Sequence, residues 1–139
     1  MISTRGRYAL RVLIDIAENS NGNYILLNDI ARRQDISEKY LESILVLLTR
    51  GNLLDGLRGK GGGYKLTKAP EEYTMKSILT LTEGTLAPVA CLKDGAAPCS
   101  KKNICKTLPV WQGLNRVITD YLESVSLADI IEKPDNYSI

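Results

Sequence analysis

The sequence predicts a mainly α-helical chain with one small β-hairpin, and three observations support this fold class. Apolar residues recur at helical spacing near the N-terminus and again before residue 50. A glycine-rich loop, residues 59–63, separates two short apolar segments, as expected for a hairpin. A long segment near the C-terminus repeats its apolar residues at coiled-coil spacing. Helix, short turn, helix and glycine-tipped hairpin together outline a winged helix-turn-helix with a long C-terminal helix.

The N-terminal elements follow from apolar spacing and turn residues. A first helix is predicted from about Thr4 to Asn19, where a polar cluster ends it. A shorter helix is predicted over Asn28 to Gln34, and a third from Ser37 to Arg50 with Ser37 as its N-cap. The apolar face of this third helix falls at i, i+3, i+4 and i+7 and comprises Leu41, Ile44, Leu45 and Leu48.

The remaining elements end in a long amphipathic helix. Strands over residues 53–57 and 64–66 flank the glycine loop, and Met75 to Leu81 reads as a short helix. Leu108 to Val125 is predicted to be helical, and Ala128 to Ile131 adds a last turn. Because its apolar seam has a 3.5-residue period, we expect this helix to form a homodimer interface. The seam comprises Trp111, Leu114, Ile118, Tyr121 and Val125.

These patterns predict three segments. They are a winged helix-turn-helix over residues 1–83, a cysteine-bearing loop over 84–106, and a dimerisation helix with a polar tail over 107–139. The loop shows no periodicity and contains all three cysteines, Cys91, Cys99 and Cys105. A structureless loop of this length in a small domain is expected to be functional or tied down by a ligand.

Composition and charge narrow the function classes. The 139-residue chain contains no histidine, which removes the commonest general base, so we expect no enzymatic activity and no small-molecule substrate. The apolar run over residues 9–17 is broken by Arg11 and Asp15, so we expect a cytoplasmic protein with no membrane partner. Residues 1–70 carry a net charge of +4 and residues 71–139 a net charge of −2, which places the basic half on the predicted DNA-binding fold.

The helix after the short turn is predicted to bind double-stranded DNA through its exposed N-terminal side chains. Arg58 and Lys60 lie at the hairpin tip, where an arginine can enter a narrow minor groove. A nucleotide phosphate loop is excluded because no helix begins there. A merely solvated helix face and a plain flexible hairpin are the simpler alternatives. The candidate DNA-contacting residues are Ser37, Glu38, Lys39, Tyr40, Glu42, Ser43, Arg58 and Lys60.

The cysteines follow the pattern C-x7-C-x5-C. An odd number of cysteines argues against a disulfide framework, and the lack of C-x-x-C and of histidine disfavours zinc. Three thiolates on one loop favour an iron–sulfur cluster, which tolerates an unusual fourth ligand. Three incidental cysteines are the alternative interpretation.

Taken together, these motifs resemble those of the IscR-type winged-helix regulators of the Rrf family, and the resemblance covers nearly the whole chain. The shared motifs are residues 6–10 in the first helix, 36–42 in the recognition helix, 58–64 in the wing, and the cysteine loop before a Trp-bearing helix. The resemblance implies a homodimer on a near-palindromic operator. It also implies an iron–sulfur cluster on Cys91, Cys99 and Cys105 that controls DNA affinity, with 2Fe–2S favoured over 4Fe–4S.

The chain departs from the family pattern at the fourth ligand. Leu108 stands where members with a 2Fe–2S cluster typically have histidine, and Arg7 where nitric-oxide-sensing relatives have aspartate. The first cysteine gap is seven residues where five is usual. With no histidine available, a partner group, a backbone group, an exogenous thiol or an oxygen donor must complete the site. The oxygen donors considered are Glu83, Asp94, Ser100 and Thr107.

We therefore expect a homodimeric DNA-binding transcriptional regulator whose cluster senses iron–sulfur status, oxygen or nitric oxide. Two alternatives stay open at this point. One is a cluster-free regulator of the same fold that responds to thiol oxidation, and the other is a small iron–sulfur carrier protein.

Overall fold

The computed structural model describes residues 1–132, so the polar tail predicted over residues 133–139 lies outside the described residues. The described part is mainly helical, with one antiparallel two-stranded hairpin, and the predicted fold class is confirmed. Short 3-10 turns cover Pro70–Glu72 and Ala90–Leu92. The elements in chain order are α1 Thr4–Asn19, α2 Leu27–Gln34, α3 Glu38–Arg50, β1 Leu54–Leu57, β2 Gly63–Leu66, α4 Met75–Glu83, α5 Leu108–Ser124 and α6 Leu127–Glu132.

Side-chain caps and one left-handed residue define the helix-turn-helix. The Ser3 hydroxyl accepts from the Gly6 amide at 3.0 Å and starts α1. Asp35 has a φ of 53°, which closes α2 by letting its amide donate back to the helix carbonyls. The Ser37 hydroxyl accepts from the Tyr40 amide at 3.2 Å and starts α3, as predicted.

The core lies between α1, the α2–α3 pair and the C-terminal end of the described chain. Its α1 side chains, its α3 side chains and Ile30 are fully buried. Tyr73 is also fully buried, and its hydroxyl donates to the Leu53 carbonyl at 2.6 Å, which satisfies the polar tip inside an apolar core. The α1 and α3 core residues are Ala9, Val12, Leu13, Ile16, Leu41, Ile44, Leu45 and Leu48.

The hairpin is held rigidly to the helix-turn-helix. Its register pairs Leu54 with Leu66 and Leu57 with Gly63. The backbones of Ile25 and Tyr64 exchange two hydrogen bonds of 2.8 Å, so the segment before α2 pairs with β2 through a single antiparallel β-bridge. A Cβ added to Gly62 would overlap the Leu57 carbonyl oxygen, so the tight wing tip requires glycine there.

The C-terminal helices differ from the prediction in where they end and what they contact. Helix α5 stops at Ser124 because Val125 is extended, with φ −105° and ψ 118°, and its carbonyl accepts from the Met75 amide at 2.8 Å. Val125, predicted in the dimer seam, is therefore buried at 6% exposure against its own chain. Leu127 of α6 is fully buried in the N-terminal core, so the chain after residue 107 contributes to that core. Within residues 1–132, no helix is both long and apolar enough to span a membrane.

Candidate nucleic-acid interface and cysteine cavity

Helix α3 presents most of its predicted DNA-contacting residues to solvent. All but Tyr40 are exposed, and Tyr40 is half-buried. The Tyr40 ring meets the Tyr8 ring edge-on at 5.8 Å, and the Arg11 guanidinium lies 4.7 Å from the Tyr8 ring centroid. Tyr40 therefore fixes the start of α3 against α1. The exposed residues of this set on α3 are Ser37, Glu38, Lys39, Glu42 and Ser43.

The hairpin has basic residues at its tip and a set of bracing contacts at its base. Arg58 and Lys60 are exposed at the tip, as predicted. At the base, the Tyr24 hydroxyl donates to Asp55 Oδ2 at 2.8 Å, and the Lys65 ammonium lies 4.6 Å from the Tyr24 ring centroid. The Asp55 hydrogen bond, helped by burial and the Asp55 charge, raises the pKa of Tyr24. These three residues brace the wing, and sequence reasoning missed them because their contact is made across the fold.

An ion pair between a buried carboxylate and a partly exposed guanidinium joins α1 to α2. Asp15 is 3% exposed and accepts from Arg33 Nε at 2.9 Å, Arg33 Nη2 at 2.7 Å and Gln34 Nε2 at 2.8 Å. Arg11 donates to the Gln34 carbonyl at 2.7 Å. Hydrogen bonding to Asp15 raises the pKa of Arg33. Because α3 follows α2 after a tight turn, this network sets the position of the recognition helix.

The three cysteines line one cavity of about 260 Å³ beside the N-terminus of α5. Cys91 and Cys99 are exposed, and Cys105 is half-buried. Lys102 and Gln112 are the polar side chains in the lining apart from the thiols. The rest of the lining is apolar and consists of Leu92, Ala96, Ala97, Pro98 and Leu108. The three cysteines therefore border the same cavity, although they span 15 positions of the sequence.

Cys105 lies where thiolate is favoured. Its sulfur is 3.4 Å from the Thr107 hydroxyl, just before α5 begins. The Thr107 hydroxyl, together with the backbone amides of Thr107 and Leu108, lowers the pKa of the Cys105 thiol below its usual value. This arrangement prepares Cys105 for metal binding or oxidation.

The predicted dimer seam is divided between two faces of α5. Leu114 and Tyr121 are exposed, at 41% and 53%, while Trp111 and Ile118 are half-buried. Ile118 lines an apolar groove between α1, α4 and α5, which Tyr121 also borders. The exposed stripe of α5 comprises Val110, Leu114, Val117 and Tyr121, so two of its four residues lie outside the predicted seam.

A carboxylate pins the start of the cysteine segment. Glu83 Oε1 accepts from the Ser3 hydroxyl at 2.7 Å and the Ser3 amide at 3.1 Å. Burial raises the pKa of Glu83, but the Ser3 hydrogen bonds and those from Thr82 outweigh it and lower the pKa. Gly84 follows with a φ of 77°, so the chain turns away from α4 immediately after this anchor.

A capped helix-turn-helix, a braced wing with a basic tip and an exposed α3 face define a winged-helix DNA-binding protein. Residues 2–133 match the Rrf2 family, described as iron-dependent transcriptional regulators. The chain belongs to the Rrf2 family and is a DNA-binding transcriptional regulator of IscR type.

Individual relatives agree with this assignment. The chain is 31% identical over 134 residues to the HTH-type transcriptional regulator IscR of Erwinia tasmaniensis, covering 96% of this chain and 80% of that protein. It is similar in structure to CymR, the global cysteine regulator of B. subtilis, with a TM-score of 0.76, 29% identity and coverage of 95% and 96%. It is also similar to T. potens IscR, with a TM-score of 0.72, 27% identity and coverage of 100% and 91%.

Proposed function

We propose that this regulator is a cytoplasmic homodimer whose operator affinity is controlled by an iron–sulfur cluster held by Cys91, Cys99 and Cys105. The observation that carries the proposal is the cavity at the N-terminus of α5, which all three thiols line. The family description as iron-dependent regulators supports iron as the metal. A 2Fe–2S cluster is the first candidate and a 4Fe–4S cluster the second.

The donor set is made of thiols, the ligands that iron–sulfur clusters favour. Among residues 1–132, no three His, Cys, Asp or Glu side chains come close enough together to hold a metal ion. Binding of a cluster would therefore require Cys91, Cys99 and Cys105 to draw closer together around the cavity that they line. Lys102 in the lining would offset the negative charge of the thiolates, and the hydrogen bond from Thr107 lowers the pKa of the Cys105 thiol, which favours its thiolate form. When bound, the cluster supplies a centre whose charge and coordination respond to iron supply and oxidants.

The cysteine segment connects α4 to α5, and these contacts support a regulatory role for it. One end is fixed by Glu83, which bonds to Ser3 at the start of α1, and the other end runs directly into α5. Helix α5 packs on α4, and α4 packs on α1. Tightening the segment would therefore shift α5 relative to α1, and in a dimer it would change the separation of the two α3 helices. A change of separation alters the fit to a two-site operator.

The exposed stripe on α5 supports a second copy of the chain as the partner. In its 17 residues, α5 has no buried side chain, although it carries four large exposed apolar residues on one face. The stripe continues through Tyr121 into the apolar groove beside Ile118. In a symmetric dimer along α5, the exposed stripe and the apolar groove of one protomer would be covered by the same stripe and groove of its partner.

Anaerobic reconstitution with iron and sulfide tests the cluster. We expect the wild-type chain to take up both, and each of the variants Cys91→Ala, Cys99→Ala and Cys105→Ala to lose most of its iron and sulfide. Ser100→Ala is the matched control in the same segment and should load fully. Binding to a duplex selected from a random library should then differ between the loaded and empty wild-type protein. Full iron and sulfide in any cysteine variant would overturn the ligand assignment.

A cluster-free, thiol-responsive regulator is the second candidate, and the structural similarity to CymR favours it. The exposure of Cys91 and Cys99 would allow oxidants to reach them. Absorbance between about 320 and 450 nm on protein purified without oxygen separates the two functions, since thiolate-bound iron absorbs there and free thiols do not. A protein that lacks this absorbance but changes its DNA affinity on thiol oxidation would establish the second candidate.

A further inference from the structure

We infer that the cleft between α3 and the wing seats one sugar–phosphate strand of the operator, with Arg50 as the residue that anchors a phosphate there. The inference rests on the operator binding in the proposed function and does not depend on the cluster. The cleft has a volume of about 340 Å³ and lies between the last turns of α3 and the hairpin. Thr49 and Arg50 of α3 and Gly56 and Tyr64 of the hairpin are among the residues that line it.

The cleft carries positive charge without a compensating carboxylate. Arg50 at the end of α3 and Arg58 in the wing both line it, and both are exposed. Its described lining contains no aspartate or glutamate. Among residues 1–132, neither of these guanidinium groups forms an ion pair with a carboxylate. Two unpaired arginines at one cleft favour an anionic occupant, and the planar guanidinium group matches the geometry of a phosphate.

The cleft lies on the helix face that carries the predicted base contacts. Lys39, Ser43, Val46 and Arg50 follow one another at steps of four, three and four residues, so they share one face of α3. With a rise of 1.5 Å per residue, Arg50 lies about 16 Å along the helix axis from Lys39, whereas the major groove is about 12 Å wide. When the N-terminal residues of α3 face base edges, Arg50 therefore lies at the margin of the groove, beside the DNA backbone.

The shape and the apolar part of the cleft also suit a DNA strand. A Cβ added to Gly56 would lie 3.4 Å from the Tyr64 ring and 4.0 Å from the Thr49 methyl group, so the missing side chain keeps the space between α3 and β1 open. Glycine within a strand often marks a place where another backbone approaches closely. Val46 and Leu57 in the lining are 40% and 47% exposed, and deoxyribose offers such side chains a carbon surface between successive phosphates.

The geometry of the duplex identifies the occupant. A protein that places α3 in a major groove and Arg58 in the neighbouring minor groove must straddle the backbone strand between the two grooves. The cleft lies between these two elements, so this strand is the part of the duplex that enters it. A phosphate held there fixes the orientation of the protein on the duplex without reading sequence. Arg50 therefore acts as a positioning residue for the recognition helix and the wing.

Fluorescence anisotropy with the full chain tests the role of Arg50, on a duplex selected from a random library and on a random duplex. Arg50→Ala should weaken binding to both duplexes alike by about tenfold and reduce the slope of log affinity against log salt by about 0.9. Arg50→Lys should recover most of the affinity, since lysine still pairs with phosphate as a point charge. Arg116→Ala is the matched control, because it removes the same charge from an exposed position on α5, and it should leave the affinity and the slope unchanged.

Neutral methylphosphonate groups, introduced into the selected duplex one position at a time, locate the contact. For the wild type, one sensitive position should lie on the strand between the two contacted grooves. In Arg50→Ala that position should have no further effect, while the other sensitive positions keep theirs. Gly56→Val fills the cleft without changing the charge and should silence the same position. Thermal unfolding followed by circular dichroism checks that each variant stays folded.

The outcomes separate this inference from the proposed function. If Arg50→Ala binds DNA as the wild type does, the cleft is free for another anionic occupant, such as an acidic protein segment, and the inference is wrong while operator binding stands. If Arg50→Ala weakens binding but no methylphosphonate position becomes silent, or if Arg116→Ala weakens it equally, Arg50 anchors no phosphate and the inference is again overturned. If the wild type binds no duplex, the proposed function fails and this inference fails with it.

Discussion

Val117→Asp is the sharpest perturbation of the proposed dimer. Val117 is 65% exposed at the centre of the α5 stripe. The substitution therefore leaves the buried core of the single chain unchanged. Ile118, by contrast, is half-buried and lines the groove against α1 and α4, so a charge there would also disturb the folded protomer. The two neighbouring positions therefore distinguish an interface effect from a folding effect.

The size of the effect follows from the exposed area. Full burial of a valine side chain contributes about 2 kcal/mol, so covering the 65% that is exposed contributes about 1.3 kcal/mol. A symmetric dimer contains the residue twice, which gives about 2.6 kcal/mol, or roughly a 70-fold change in the dissociation constant. An aspartate in a dry interface adds several kcal/mol of desolvation cost for each ion. We therefore expect dimerisation to weaken by at least about 1,000-fold.

Sedimentation equilibrium over a range of concentrations measures this change, and thermal unfolding followed by circular dichroism at low concentration checks that the chain stays folded. Arg116→Asp is the matched control, since it alters the charge of α5 at an adjacent exposed position but removes no apolar surface. A Val117→Asp dimer as tight as the wild type would show that the stripe is not the interface. Weak dimerisation in both variants would show that charge alone, and not the apolar stripe, governs association.

Three further results are expected. Arg58→Ala should weaken binding to a selected duplex roughly 5- to 150-fold, measured by fluorescence anisotropy. Lys60→Ala should weaken binding to all duplexes alike and reduce the dependence of the binding constant on salt concentration. Equal losses of affinity for selected and random duplexes in Arg58→Ala would refute a role of Arg58 in sequence recognition. Asp15→Asn should lower the free energy of unfolding in urea by about 2 kcal/mol, less than a fully buried pair because its arginine partner is 31% exposed, and a loss near zero would contradict the network. Thr107→Val should raise the pKa of the Cys105 thiol, seen as a later onset of alkylation with rising pH in a chain whose other two cysteines are serine; an unmoved midpoint would remove Thr107 as the cause.

Local signals in the sequence were sufficient for the helix-turn-helix and the wing. The spacing of Leu41, Ile44, Leu45 and Leu48 and the capping side chain of Ser37 specify α3 from within thirteen residues of chain. The wing depends on Gly62, where any side chain would meet a carbonyl oxygen of the same hairpin. Such elements are readable because the interactions that form them are short in sequence.

The sequence by itself determined the fold class, the recognition helix, the wing and the three cysteines as a set. Only the tertiary structure decided which face of α5 is free, because apolar residues surround much of that helix and both a 3.5- and a 3.6-residue period fit them. Packing on α4 placed Ile118 inward and left Val117 outward, and the extended backbone at Val125 removed it from the helix. These placements depend on contacts between distant segments, which no local pattern encodes.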